Sequence, residues 1–204
     1  MMRRTCLLLN ALCFVLLAAS GAAADDTAVA EPSTAAADAK AAKPPVEYEL
    51  GEGKLVLPVP AEWRKVKPRN RIIELEFSAP AKKADEGSSR LTVVLSGGSI
   101  KANVARWVGQ FKNHVPPKEG QVGDVKELTA DDMPVHYVDL AGDFQDSPRG
   151  PFGPSVEKRG YRMLAAMLES KESGNYFFKL VGPQALVAEQ VKDFEKMITG
   201  IRAK

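Results

Sequence analysis

Two histidines are the first side chains to consider for catalysis or metal binding, and the sequence keeps them apart. His114 is predicted at the end of a helix, where a positive charge suits the helix dipole, and His136 at the start of a strand. Neither has further ligands at the spacing of a helical zinc motif, and no G-x-S-x-G nucleophile elbow occurs in the chain. The two histidines therefore indicate neither a metal centre nor a serine hydrolase.

Acidic side chains are concentrated around one predicted strand, from Val135 to Phe144. Asp139 and Asp143 are four residues apart and so share a face of that strand. Two carboxylates on one face could serve glycoside hydrolysis or bind calcium, but the sequence has no D-x-D-x-D-G calcium loop. We favour the interpretation that these carboxylates face solvent or pair with basic side chains on neighbouring strands, namely Lys179 or Arg162.

A glycine- and proline-rich loop, predicted from Gln145 to Gly160, is the main candidate for a binding element. Long connections without secondary structure often bind partners, and this one carries Phe152, an apolar residue with few apolar neighbours in sequence. Trp63, which lies between prolines, is a second candidate, for lining a groove. An ordinary surface loop is the alternative. The predicted partner-binding residues are Trp63, Arg149, Phe152, Lys158 and Arg159.

The first 24 residues have the composition of a secretory signal peptide. Arg3 and Arg4 precede an apolar run from Cys6 to Ala19, and small residues at 22–24 suit cleavage. That run is shorter than the roughly 20 residues that span a membrane. We therefore predict an exported chain, periplasmic or extracellular, with no transmembrane span in the mature part.

Removal of the leader would change the chemistry available to the rest of the chain. Both cysteines, Cys6 and Cys13, lie in it, so no thiol remains for catalysis, disulfides or metal binding. Two of the 28 basic residues also lie in it, and the others balance the 26 acidic residues. The densest basic stretch, Arg64 to Arg71, is predicted to be a solvated loop, and a phosphate or lipid-headgroup patch is the alternative. We therefore predict no cofactor, no metal and no nucleic acid partner.

The remaining chain divides at about residue 46. Residues 25–46 are mostly Ala, Asp, Thr, Pro and Lys, so they cannot bury a core and are predicted to form a disordered tether. A single domain is predicted for 47–204, where apolar residues begin to recur periodically. It opens with a hairpin that turns at residues 51–53.

The order of predicted elements indicates the fold class. After several strands, Ser99 is a good N-cap for a helix of about four turns, whose apolar stripe includes Phe111. Further strands follow, and Gly182-Pro183 begins a closing helix. The apolar run from Tyr161 to Leu168 fits either a helix or a buried strand. Strands in consecutive blocks indicate an α+β fold, mainly an antiparallel sheet with helices packed on it.

Two stretches resemble the PsbP-like domain family. They are the opening Leu57-Pro58-Val59-Pro60-Ala61-Glu62-Trp63 and the ending from Asn175 to Pro183, which is followed by a helix. The resemblance spans residues 47–202 and implies an α-β-α sandwich. Related domains include an extrinsic lumenal subunit of the oxygen-evolving photosystem and a nuclear import factor that binds a small GTPase. Others are secreted bacterial proteins of unknown role, the group that this chain resembles. The resemblance therefore implies docking onto partners, with no family metal ligand or partner contact at a matching position.

The sequence as a whole predicts a secreted or periplasmic accessory module that is not an enzyme and binds a protein partner. The alternative is a small-molecule binder or hydrolase with a pocket between sheet and helix, which requires several converging polar side chains. Its chief candidates are His136, Asp139 and Lys179. A structural component of the cell envelope is a third interpretation.

Overall fold

The computed structural model describes residues 43–81, 87–115, 125–147 and 153–204. The predicted leader and most of the predicted tether lie outside these ranges. Within them no helix is long and apolar enough to cross a membrane. The elements in these ranges are β1 Val46–Leu50, β2 Leu55–Val59, β3 Arg64–Val66, β4 Leu75–Pro80, β5 Ser88–Leu95, α1 Ile100–Val108, β6 Phe111–Val115, β7 Lys126–Ala130, β8 Met133–Asp146, β9 Val156–Ser170, β10 Gly174–Pro183, α2 Gln184–Thr199 and β11 Arg202–Ala203.

Most of the strands form one antiparallel sheet of eight strands, in the order β3-β4-β5-β10-β9-β8-β6, with β7 also paired to β8. A second sheet has the order β1-β2-β11, and its first two strands form the predicted hairpin. The predicted turn at residues 51–53 is confirmed, with positive φ at all three residues. The α+β class with a mainly antiparallel sheet is also confirmed, while the α-β-α sandwich remains a prediction.

The central strand β9 is buried on both faces, which explains its continuous apolar run. Side chains at even positions, such as Leu164, join a core cluster with Phe194 of α2. Those at odd positions, such as Met163, join a second cluster with Trp107 of α1. We call these the α2 face and the α1 face of the sheet. The ambiguous segment is therefore a strand, since alternate residues enter two different clusters.

The first helix begins as predicted but ends early. The Ser99 hydroxyl oxygen accepts a hydrogen bond from the Ala102 amide at 3.2 Å, so the predicted N-cap is confirmed. The prediction of four turns is wrong, because Gly109 caps the helix and Phe111 begins β6 opposite Phe144. His114 consequently lies in β6 and not at a helix terminus.

The predicted loop from Gln145 to Gly160 is wrong at both ends, because much of it is strand. β8 and β9 continue to pair outward, with Phe144 opposite Lys158 and Gln145 opposite Glu157. A bulge in β8 before Phe144 accompanies a close approach of β6 to Gly142, where φ is 149°. A Cβ atom at Gly142 would lie 2.8 Å from the His114 Cα. The outer ends of both strands are therefore built into the sheet.

Candidate functional site

The α1 face of the sheet is apolar beneath α1 and polar on the neighbouring strands β4 and β5. The cluster around Trp107 draws on α1, β6, β8, β9 and β10. On β4 and β5, Phe77 and Leu91 alternate with polar residues and enter the cluster on the α2 face. The other side chains of these strands, including Glu76 and Arg90, therefore lie on the α1 face.

A cavity of about 430 Å³ opens on this polar part of the sheet. Its floor comes from β5 and β10, and β8 and β9 contribute to its wall through their outer ends. The turn between α1 and β6 supplies Gln110, which is held in place because its carbonyl accepts the Gln145 amide at 2.7 Å. We call this cavity the basic pocket; its principal polar lining residues are Arg69, Arg90, Gln110, Asp146, Lys158, Tyr161 and Lys179.

Arg90 is fixed at the pocket by a buried carboxylate. Its Nε and Nη2 donate to the two oxygens of Glu76 at 2.7 and 3.0 Å, and the Arg69 amide donates to Glu76 Oε2 at 3.0 Å. Burial opposes ionisation of Glu76, which is 3% exposed. The hydrogen bonds from Arg90 and Arg69 nevertheless outweigh it and lower the pKa of Glu76. Glu76 is thus a charged anchor for the guanidinium.

Lys179 is the unusual side chain of the pocket. Its Nζ donates to Gln110 Oε1 at 3.0 Å and lies 5.8 Å from the centre of the Phe144 ring. No carboxylate in the described ranges forms an ion pair with it. Burial, followed by the charges of Arg106 and Arg90, lowers the pKa of Lys179 to about 8. The pocket thus holds an ammonium group whose charge its surroundings disfavour.

Lys158 connects the pocket to the outer end of β9. Its Nζ lies 2.6 Å from Asp146 Oδ2 and 5.5 Å from the centre of the Tyr161 ring. The side chain of Arg159, the next residue, is 84% exposed and contacts Glu157 at 3.3 Å. Two of the predicted partner-binding residues therefore lie at this end of β9, one in the pocket and one on the surface.

The other predicted partner-binding residues are placed differently. Trp63 is buried in the core cluster of the α2 face, so the expected groove at this side chain is not formed. The tryptophan ring is large and apolar, and packing against the core removes it from water. Arg149 and Phe152 lie outside the described residues.

The three candidates for a catalytic site do not converge. His136 lies on the α1 face between Glu127, whose Oε2 is 2.7 Å from Nδ1, and Glu169. Asp139 lies on the α2 face and pairs with Arg162, as the favoured interpretation predicted. Of the three, Lys179 alone lines the basic pocket. No cluster of three or more possible metal ligands occurs within the ranges that the structure describes.

One feature of the sequence could have revealed the pocket. Lys179 interrupts an apolar run on a strand that is buried on both faces, which requires a polar environment at that position. Arg69, Arg90 and Gln110 carry no comparable signal. They come from separate segments: the pairing of β5 with β10 brings Arg90 near Lys179, while the Arg69 amide bonds Glu76 of β4 and the Gln110 carbonyl accepts the Gln145 amide.

Comparisons with known proteins support the fold. No family model matches the chain, and no curated protein matches it. The solution structure of cyanobacterial PsbP (CyanoP) from Synechocystis sp. PCC 6803 is similar, with a TM-score of 0.51 and 9% identity over 84% of this chain and 99% of that one. A protein of unknown function from Pseudomonas aeruginosa, PA94, has a TM-score of 0.42 and 12% identity over 77% and 95% of the two chains, which supports no conclusion. The chain therefore has a PsbP-like fold.

Proposed function

We propose that the chain is an exported, non-catalytic accessory module that binds a protein partner along the outer segment of β9, residues 156–160. The carrying observation is an open strand edge. The last pair between β9 and β10 joins Tyr161 to Pro183, so on that side no described strand pairs with residues 156–160. An open edge offers backbone groups to an added strand. The favoured occupant is therefore an extended segment of the partner.

The side chains of the outer segment support contact with a protein. Val156 is 53% exposed, although it is apolar and lies in a strand. Arg159 and Glu157 form an exposed ion pair, which contributes little to stability and can exchange for contacts with a partner. The proposal retains Arg149 and Phe152, which the sequence places in the connection directly before this segment.

The other parts of the proposal rest on separate observations. Export rests on the leader composition of residues 1–24. The non-catalytic role is supported by the separation of His136, Asp139 and Lys179, which removes the arrangement expected for a hydrolase. The basic pocket supports a small-molecule binding site, and this support is independent of the proposed contact with a protein.

Capture from the cell that exports the protein tests the proposal. We expect the chain carrying Val156→Asp with Arg159→Glu to retain at least about tenfold less of the partner than the unaltered chain, because a buried new carboxylate is costly at an interface. Leu95→Asp is the matched control, since Leu95 is also an apolar strand residue and is 51% exposed. Thermal unfolding shows that all three proteins are folded. The proposal is overturned if the unaltered chain, the double variant and the Leu95→Asp control all capture each cellular protein to the same extent.

A further inference from the structure

The basic pocket carries more positive charge than its own carboxylates neutralise. Four lining residues are cationic: Arg69, Arg90, Lys158 and Lys179. Glu76 is shared by the two arginines, and Asp146 pairs with Lys158. Lys179 has only a neutral amide as its polar partner among the described residues. The cavity is therefore complementary to an anion.

The cationic groups also retain unused hydrogen-bond donors. A guanidinium has five N–H donors, and Glu76 occupies two of those of Arg90. An ammonium has three, and Gln110 occupies one of those of Lys179. Among the described residues, Lys158 forms an ion pair with a single carboxylate, Asp146. Charged donors to phosphate or carboxylate oxygens form the strongest hydrogen bonds in proteins, so these groups suit an oxyanion.

The size of the cavity limits the ligand. At about 430 Å³ it lies at the lower end of the range for small-molecule sites. The rings of Phe144 and Tyr161 line it beside the cations and offer apolar surface for a short carbon skeleton. We propose that the basic pocket binds a small organic anion, whose phosphate or carboxylate oxygens are held by Lys179, Arg90 and Lys158. The pocket shares Lys158 with the outer segment of β9, but this proposal rests on the charges and donors of the cavity and does not depend on the proposed function.

Calorimetric titration of the full chain, purified after expression with its own leader, tests this proposal. The probes are inorganic phosphate and succinate, each at millimolar concentration and at an ionic strength of about 0.15 M, where weak surface attraction is screened. We expect at least one probe to bind, and Lys179→Met to weaken that binding at least about tenfold. Binding of phosphate alone would assign the pocket to phosphate groups, and binding of succinate alone would assign it to carboxylates.

The matched control is Lys171→Met, the same replacement at an exposed lysine in the turn between β9 and β10. It should bind the probe as the unaltered chain does. The proposal is overturned if neither probe binds, if Lys179→Met binds with unchanged affinity, or if both variants lose affinity equally.

Discussion

Replacing Asp139 with alanine is expected to lower the free energy of unfolding by about 3–5 kcal/mol. Asp139 accepts hydrogen bonds from Nε and Nη2 of Arg162 at 2.8 and 2.6 Å, and Arg162 is only 7% exposed. The hydrogen bonds that Arg162 donates to Asp139 also raise the pKa of Arg162, against the effect of burial. The guanidinium cannot give up its proton, so the variant buries a charge without a partner.

Urea unfolding at neutral pH measures this effect. Asp143→Ala is the control on the same strand. The Asp143 carboxylate accepts hydrogen bonds from the Asn113 side chain and the Gly160 amide, and both of these bonds are exposed. It should cost about 1 kcal/mol or less. The double variant Asp139→Leu with Arg162→Met should recover most of the loss, since two apolar side chains leave no buried charge. A loss below about 1 kcal/mol for Asp139→Ala would show that the pair is unimportant for stability.

Replacing Lys179 with methionine is expected to have the opposite effect and to stabilise the folded chain by about 2–3 kcal/mol at pH 7. The pKa of Lys179 is lowered from 10.5 to about 8 by burial and by Arg106 and Arg90. Each unit of such a shift corresponds to about 1.4 kcal/mol in favour of the uncharged form. The lost hydrogen bond to Gln110 offsets about 1 kcal/mol of the gain.

The pH dependence of the difference identifies its cause. Below pH 8 the folded chain must hold the ammonium, so the destabilisation is fully present in the unaltered protein. As the pH rises from about 8 towards 10.5, the folded chain releases this proton before the unfolded chain does, and the unaltered protein gains stability. Thermal unfolding from about pH 7 to 10 should therefore show the advantage of Lys179→Met shrinking. A constant difference, or destabilisation by Lys179→Met at neutral pH, would show that burial of the ammonium is not the cause.

Asp139 and Lys179 have different roles, although both are charged residues in strands inside the sheet. Asp139 neutralises a buried partner and supports the fold. Lys179 has no carboxylate partner in the described ranges and lines an open pocket, and its lowered pKa leads us to expect that it destabilises the protein at neutral pH. Perturbed groups that cost stability in a cavity are typical of binding sites. A stabilised Lys179→Met variant would also show that any loss of anion binding does not arise from misfolding.

The local patterns of the sequence predicted the hairpin, the Ser99 cap and the strands well, because each depends on neighbouring residues. The end of α1 was missed because Phe111 continues the apolar spacing of the helix, although Gly109 had already ended it. The same phenylalanine instead pairs with Phe144, which is distant in sequence. Long-range pairing of this kind is not encoded in local periodicity.

The candidate site was less accessible to sequence reasoning. Lys158 was predicted as a loop residue, yet strand pairing places it beside the basic pocket. Arg90 and Lys179 line the same cavity because β5 and β10 pair, and that register depends on the whole sheet. Trp63 was expected at a groove and proved to be core, because its sequence neighbours do not show what packs over it.

Site-specific photocrosslinking in the exporting cell tests the proposed partner contact most directly. A photoreactive amino acid replaces Val156 on the open edge of β9 or, as the control, Leu95 at the far end of β5. We predict a crosslinked adduct to one partner protein from position 156, reduced by Arg159→Glu, and no such adduct from position 95. The absence of an adduct from position 156, or equal adducts from both positions, would contradict the proposed contact.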